Sequence, residues 1–104
     1  SLPIGDRAQM AMQDLVLHPN VPNPFNPSTQ IAYQIPEAGH VSLAIYNTLG
    51  QQVRVLVQDS QAPGQYRVRW DGKDEFGREV SSGVYIYRLA HPSGVIIRRL
   101  LLVK

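Results

Sequence analysis

The chain has 104 residues, enough for one domain with a core and too few for two. Hydrophobic residues make up 43% and charged residues 17%, and the net charge of +2 is too small to point to nucleic acid without a clustered basic patch. The absence of cysteine excludes a disulfide frame and thiolate zinc sites, no apolar run approaches the length of a membrane span, and the opening SLPIGDRAQM lacks a signal-peptide pattern.

Residues 1–13 are read as a linker or N-terminal extension, with a cloning remnant or one helical turn around RAQMAMQ as alternatives. A first short strand is expected at DLVLH (14–18). HPNVPNPFNPST (18–29) follows, with four prolines in twelve residues. Proline gives no amide to a β-ladder and is expelled from helix interiors, so this ribbon is expected to be neither helix nor paired strand. Its centre, Asn23, Pro24, Phe25, Asn26 and Pro27, puts one bulky aromatic among turn-forming asparagines. Asn20, Asn23 and Asn26 are expected to bond local backbone. Phe25 is expected to pin the ribbon to the domain, where it crosses between sheets or covers an edge.

Short alternating runs then begin. TQIAYQI (29–35) sets Ile31, Tyr33 and Ile35 on one face, and HVSLAIYN (40–47) sets Val41, Leu43 and Ile45 inward. QVRVLV (52–57) puts Val53, Val55 and Val57 in phase. DSQAPG reads as a longer loop, and QYRVRWD (65–71) alternates Tyr66, Val68 and Trp70 against Arg67, Arg69 and Asp71. After a polar excursion (72–82), GVYIYRLA (83–90) alternates Tyr85, Tyr87 and Leu89, HPSG (91–94) reads as a tight turn, and VIIRRLLLVK is too uniformly apolar for its inward face to be assigned. Period-two alternation of β-branched and aromatic residues between Gly, Pro and Asn signals is the half-buried strand pattern. About seven strands at this spacing predict an all-β, immunoglobulin-like antiparallel sandwich over residues 14–104.

Candidate chemistry is thin. His18, His40 and His91 each lie beside a turn residue with no metal-ligand spacing, so all three are read as exposed turn histidines. Ser81 and Ser82 have no nucleophile elbow around them and are read as the approach to a hairpin. Asp71, Asp74 and Glu75 around two glycines loosely evoke a calcium loop, but DGKDEFG lacks the EF-hand spacing, and a plain turn is the simpler reading. Arg67 and Arg69 share one strand face, and with Arg54, Arg88, Arg98 and Arg99 they would form an arginine-rich face for anionic sugar or lipid if their strands were neighbours. A solvated face is the alternative. Tyr46, Trp70, Tyr85 and Tyr87 could stack on sugar rings, although aromatics in alternating strands usually belong to the core. No catalytic residues and no cofactor are expected.

Four stretches carry a family resemblance: NVPNPFNPSTQIAYQIPEAG, VSLAIYNTLGQQVRVLV, PGQYRVRWDGKDEFGREVSSGVYIYRL and the final LLLVK. From about Leu15 to Lys104 the chain resembles the type A C-terminal sorting domains of the bacterial type IX secretion system, within a wider group of immunoglobulin-like modules that includes one in the flagellar hook-capping protein. The resemblance implies a non-catalytic module of a larger exported protein. Its expected partners are an outer-membrane translocon, a processing protease, a catalytic or adhesive domain earlier in the same parent chain, and an anionic lipopolysaccharide. The expected location is the cell surface or the medium, reached through the periplasm of a Gram-negative bacterium. By position, Pro63, Gly64 and Tyr66 of PGQY, Gly83 and Tyr85 of GVY, and Lys104 correspond to the family's short motifs. RRLLLVK is the segment expected to touch the translocon. A carbohydrate-binding or spacer sandwich attached to an extracellular hydrolase is the alternative, and a scaffold module like the flagellar one is a third.

Overall fold

The alternation in the sequence becomes two facing sheets. In the computed structural model, which describes residues 14–104, β2 (Thr29–Ile35) turns Ile31, Tyr33 and Ile35 inward and β3 (Gly39–Tyr46) turns Val41, Leu43 and Ile45 inward, all essentially sealed from solvent. The three-stranded sheet A has the order β1 (Val16–Leu17), β2, β5 (Gly64–Trp70). The four-stranded sheet B has the order β4 (Gln52–Gln61), β3, β6 (Gly83–His91), β7 (Gly94–Leu102). All named pairings are antiparallel. The expected seven-stranded immunoglobulin-like sandwich is what the chain forms, while residues 1–13 and the readings made of them lie outside the described residues.

Each inward residue meets a partner on the facing or neighbouring strand, as a two-layer core requires. Leu43 lies opposite Leu89, Ile45 opposite Tyr87 and Tyr85 opposite Leu100. Trp70 fills the centre of one end, with Phe25 tilted against it at 5.5 Å between ring centroids and Tyr85 edge-on at 5.6 Å. Its indole N–H donates to the Lys73 carbonyl at 3.0 Å, satisfying the one polar group that burial would otherwise strand. At the other end Tyr33 and Tyr66, directly paired across β2 and β5, stack at 5.4 Å.

The proline ribbon pairs after all, at the positions where proline is absent. Val21 exchanges two backbone hydrogen bonds with Gln30 of sheet A. Phe25 then bridges β7 of sheet B in parallel: its amide donates to Leu101 at 3.0 Å and its carbonyl accepts from Val103 at 3.1 Å. The ribbon therefore both crosses between sheets and covers an edge. Three of its X–Pro bonds are cis, before Pro22, Pro24 and Pro27. Asn20 behaves as expected, donating to Pro22 O at 3.1 Å and to Thr29 Oγ1. Asn23 does not, since its side-chain oxygen accepts the Leu101 amide 78 residues away.

Other expectations are corrected. DSQAPG (59–64) is not a longer loop: β4 runs to Gln61 and β5 starts at Gly64, leaving only Ala62 and Pro63 to carry the chain into sheet A. The backbone stays paired with Gly39–Ser42 while Gln58, Asp59 and Ser60 stand exposed, so a strand continues where hydrophobic alternation has stopped. Two register shifts in β4 break the Val53–Val55–Val57 phase, and Leu56 packs on the core beside Val53 and Val57. On β7 the inward residues are Leu100 and Leu102, with Ile96 partly buried.

His91 is not an exposed turn histidine. Its ring is buried at the β6–β7 hairpin, where Nδ1 accepts the Ser93 amide and Nε2 lies 2.9 Å from the Glu37 carbonyl. An Nδ1 that accepts leaves the proton on Nε2, so the ring donates to Glu37 and ties the β6–β7 turn to the β2–β3 turn. His18 and His40 are exposed.

Because Phe25 is 2% exposed and wedged on Trp70, Phe25→Ala should lower unfolding free energy by about 3–5 kcal/mol in urea titration. An unchanged denaturation midpoint would remove its anchoring role. Burial is also the main reason the Tyr33 and Tyr87 phenols rise above their ordinary 10.0. For Tyr33 the Gln61 hydrogen bond opposes the rise, and for Tyr87 the Asn20 backbone N–H and Arg98 do. A raised folded value means that these tyrosines contribute fully below pH 10.0, and that stability falls as pH rises past it, where the unfolded chain sheds protons that the folded one retains. The melting temperature should therefore drop at alkaline pH, and Tyr87→Phe should flatten that drop.

Candidate functional site

The sequence motifs do not converge on one pocket. Pro63, Gly64 and Tyr66 sit where β4 crosses into β5, opposite Ile35 and Tyr33 at the far end of β2. Gly83, Tyr85 and Lys104 sit at the other end, with Asn23 to Pro27 and Trp70. The two ends of β5 lie about 20 Å apart for its seven residues.

Both G-x-Y motifs build the same local device. Gly64 has φ 146° and Gly83 φ 150°, values that favour glycine. Two residues on, each tyrosine reaches back to the carbonyl four positions upstream: Tyr66 Oη donates to Ala62 at 2.5 Å and Tyr85 Oη to Ser81 at 2.6 Å. A tyrosine that bonds back to the preceding corner is a known way for a sandwich to fix the entry of a strand. Here it is used twice, once per sheet. The motif residues thus hold β5 and β6 in place, with rings that are half-buried and buried respectively.

The end that gathers Gly83, Tyr85, Lys104 and the ribbon is the candidate site. The Lys104 amide donates to Ser82 Oγ at 3.0 Å, and its ammonium pairs with Glu79 at 3.2 Å. A surface groove of about 500 Å³ runs beside it, lined by Asn26, Pro27, Arg69, Asp71, Lys73 and Lys104. Asp71 accepts from Arg54 at 3.1 Å and from the Lys73 amide. Arg54 also donates to the Lys73 carbonyl, which already receives the Trp70 indole, so the groove floor is coupled to the aromatic core. Glu79 is not singled out by the sequence, and Ser82 and Arg54 carry only other readings there, as a hairpin approach and part of an arginine face; only folding places them beside Lys104 and Asp71.

The acidic loop is occupied by its own backbone. Asp74 accepts the Phe76 and Arg78 amides at 2.9 and 3.0 Å, and Glu75 accepts the Val55 amide at 2.8 Å. The Arg78 amide is the chief reason the Asp74 carboxyl lies below its ordinary 3.8. Among the described residues no group of three His, Cys, Asp or Glu side chains is placed to hold a metal. The arginines do not share a face either: Arg67 and Arg69 are on sheet A, whereas Arg54, Arg88, Arg98 and Arg99 are on sheet B. Trp70 is sealed in the core, and Tyr46 lies on the outer side of sheet B, opposite Ile86.

A two-layer antiparallel sandwich stapled by a cross-sheet ribbon defines an immunoglobulin-like module. The chain belongs to the FlgD Ig-like domain family, whose model matches residues 25–94. Among solved structures it is similar to latent PorU from Porphyromonas gingivalis, with a TM-score of 0.66 and 20% identity over 86% of this chain and 9% of that one. FlgD from Pseudomonas aeruginosa matches with a TM-score of 0.56 and 22% identity over 71% of this chain and 59% of that one. PorZ from Porphyromonas gingivalis, described as an essential surface component of the type IX secretion system, matches with 0.53 and 20% identity over 97% and 13%. At these identities the likeness is one of fold. The chain spans less than two thirds of each of these chains, and no curated protein matches it.

Removing the Tyr85 hydroxyl should cost about 0.5–1.5 kcal/mol by leaving the Ser81 carbonyl without its donor. Gly83→Ala meets no atom within 4 Å, so its expected cost of about 1–3 kcal/mol is backbone strain alone. Chemical denaturation of Tyr85→Phe and Gly83→Ala measures both; wild-type stability in each would show that the corner is not a structural device.

Proposed function

We propose that this domain is a non-catalytic sorting module, which directs a larger exported protein through the outer-membrane step of type IX secretion to the cell surface. The observation that carries this reading is the use made of the motif residues. PGQY and GVY shape strand corners, and LLLVK supplies core residues and the edge that the ribbon covers, so the motifs specify a surface to be read rather than a site of reaction. Fold likeness to parts of PorU and PorZ supports the same reading. In it the partners are the translocon, a processing protease, a preceding catalytic or adhesive domain, and an anionic lipopolysaccharide. The route runs through the periplasm, and the domain works without a cofactor.

One observation favours the sugar-binding alternative. A groove of about 820 Å³ on sheet A is lined by the polar planar groups of His18, Gln30, Gln65 and Arg67 together with the stacked Tyr33 and Tyr66 rings and the apolar side chains of Val21 and Ala32. Trp70 takes no part in it.

The test is a fluorescent reporter fused ahead of residues 1–104 and expressed with a periplasmic export signal in a bacterium that has the type IX machinery. The reporter should reach the surface, and Lys104→Ala should reduce delivery without shifting the melting temperature. A reporter that stays periplasmic with the intact domain would overturn the sorting role, and retention on a polysaccharide gel that Tyr66→Ala abolishes would favour the alternative.

A further inference from the structure

The two outer faces of this sandwich are built differently. An antiparallel sheet with one solvated face ordinarily alternates apolar-in with polar-out. Sheet A does so, with Gln30 opposite Arg69, Ala32 opposite Arg67 and Gln34 opposite Gln65 on its outer side. Sheet B does not. On β7, Val95, Ile97 and Leu101 point outward and are 52%, 59% and 37% exposed. Beside them on β6, Val84 is 42% exposed and faces Leu101, while Ile86 faces Arg99. On β3 the outward positions add little to it, since Ala44 beside Arg88 is buried and Tyr46 beside Ile86 is half-buried. The β6–β7 half of sheet B is therefore apolar on both sides, whereas the outer side of β3 and β4 carries Ser42, Gln58 and Ser60. A patch of exposed apolar residues rimmed by polar ones marks a contact surface.

Its charges are of one sign. Arg88 and Arg99 stand on this face, and no Asp or Glu occupies a position on it among the described residues; Glu75 lies along the β4 edge instead, on the Val55 amide. Two copies packed face to face would bring four guanidiniums into one apolar contact with no carboxylate to match them, which disfavours self-association. Asp14, where the described chain begins, lies on the other layer, its carbonyl accepting the side chain of Gln34 on the outer side of sheet A. Two strands about 4.8 Å apart over seven residues of about 3.4 Å make the apolar patch roughly 230 Å², under a third of the roughly 800 Å² that a stable complex buries on each partner. Such a contact forms and releases, as a passing cargo requires.

We infer that the outer face of sheet B, centred on Ile97 between Arg88 and Arg99, docks onto a protein of the export machinery whose surface is apolar in the middle and carries carboxylates for the two guanidiniums. The inference rests on the sorting reading only for the protein to which that surface belongs.

The experiment places the photo-crosslinking residue p-benzoylphenylalanine at position 97, and at position 67 of sheet A as control, in the reporter fusion within type IX-competent cells. Position 97 should give an adduct with one outer-membrane-fraction protein, and position 67 none. Arg88→Glu with Arg99→Glu, and separately Val95→Thr with Ile97→Thr, should lower both adduct and surface delivery about tenfold, with melting temperatures within about 2 °C of the parent because all four side chains lie outside the core. No adduct at position 97, or one indifferent to charge reversal, would overturn the inference. Binding of the purified chain to phosphatidylglycerol vesicles, or a dimer in sedimentation, lost in the Val95→Thr/Ile97→Thr variant in either case, would assign the face to lipid or to a second copy and overturn it too. If the unaltered fusion is not delivered, the sorting reading fails and the crosslink still decides the face. If delivery persists in every face variant without an adduct, the sorting reading stands and the face inference falls.

Discussion

The structure depends on one backbone constraint: a segment that cannot build a ladder must still hold two sheets together and close an open edge. The ribbon solves this by pairing only where proline is absent. Val21 engages sheet A, Phe25 engages β7 of sheet B, and the Asn23 side chain takes the Leu101 amide that no backbone carbonyl reaches. Between these contacts the prolines keep the chain stiff, so little entropy is lost on docking. The Phe25 ring converts an edge contact into a core contact through Trp70, and Trp70 passes it to Tyr85. An edge so covered offers no template to another strand.

That arrangement explains why residues that look like recognition motifs are structural. Tyr66 and Tyr85 fix the starts of β5 and β6 from opposite ends and in different sheets, yet by the same backward hydrogen bond. Arg98 adds a further link, its Nε donating to the Leu17 carbonyl across the gap between β7 and β1. A partner that recognised this domain would meet a rigid shape in which the motifs are framework, and the free chemistry lies on the sheet faces. The outer face of sheet A is polar with arginines, and that of the β6–β7 half of sheet B is apolar with arginines. The difference in composition between them is larger than solvation alone requires.

Much of this was legible in the chain. Ile31, Tyr33 and Ile35, Val41, Leu43 and Ile45, and Tyr85, Tyr87 and Leu89 all face inward as their period of two indicates, and the anchoring of Phe25 followed from an aromatic isolated among prolines. The readings that failed share a cause. β4 continues through Gln58–Gln61 because pairing with β3 holds the backbone after the core has ended, and its inward phase shifts at two bulges that leave no mark in composition. His91 looked like a surface turn residue, but the Glu37 carbonyl from another turn folds over it. The candidate site was legible only in part, since Glu79 and Ser82 meet Lys104 across 25 and 22 residues of chain.

By itself the sequence determined the class of fold and its inward faces, because alternation and turn chemistry act over a few residues and need no distant partner. It also determined that the ribbon would be stiff, since proline fixes φ wherever it stands. Only the tertiary structure decided which strands share a sheet, that the ribbon closes the β7 edge, and that VIIRRLLLVK turns Leu100 and Leu102 in while Val95 and Ile97 stand out. In a run apolar on both faces either phase buries hydrophobic surface, so the register is set by what lies opposite, and that is supplied by parts of the chain far away.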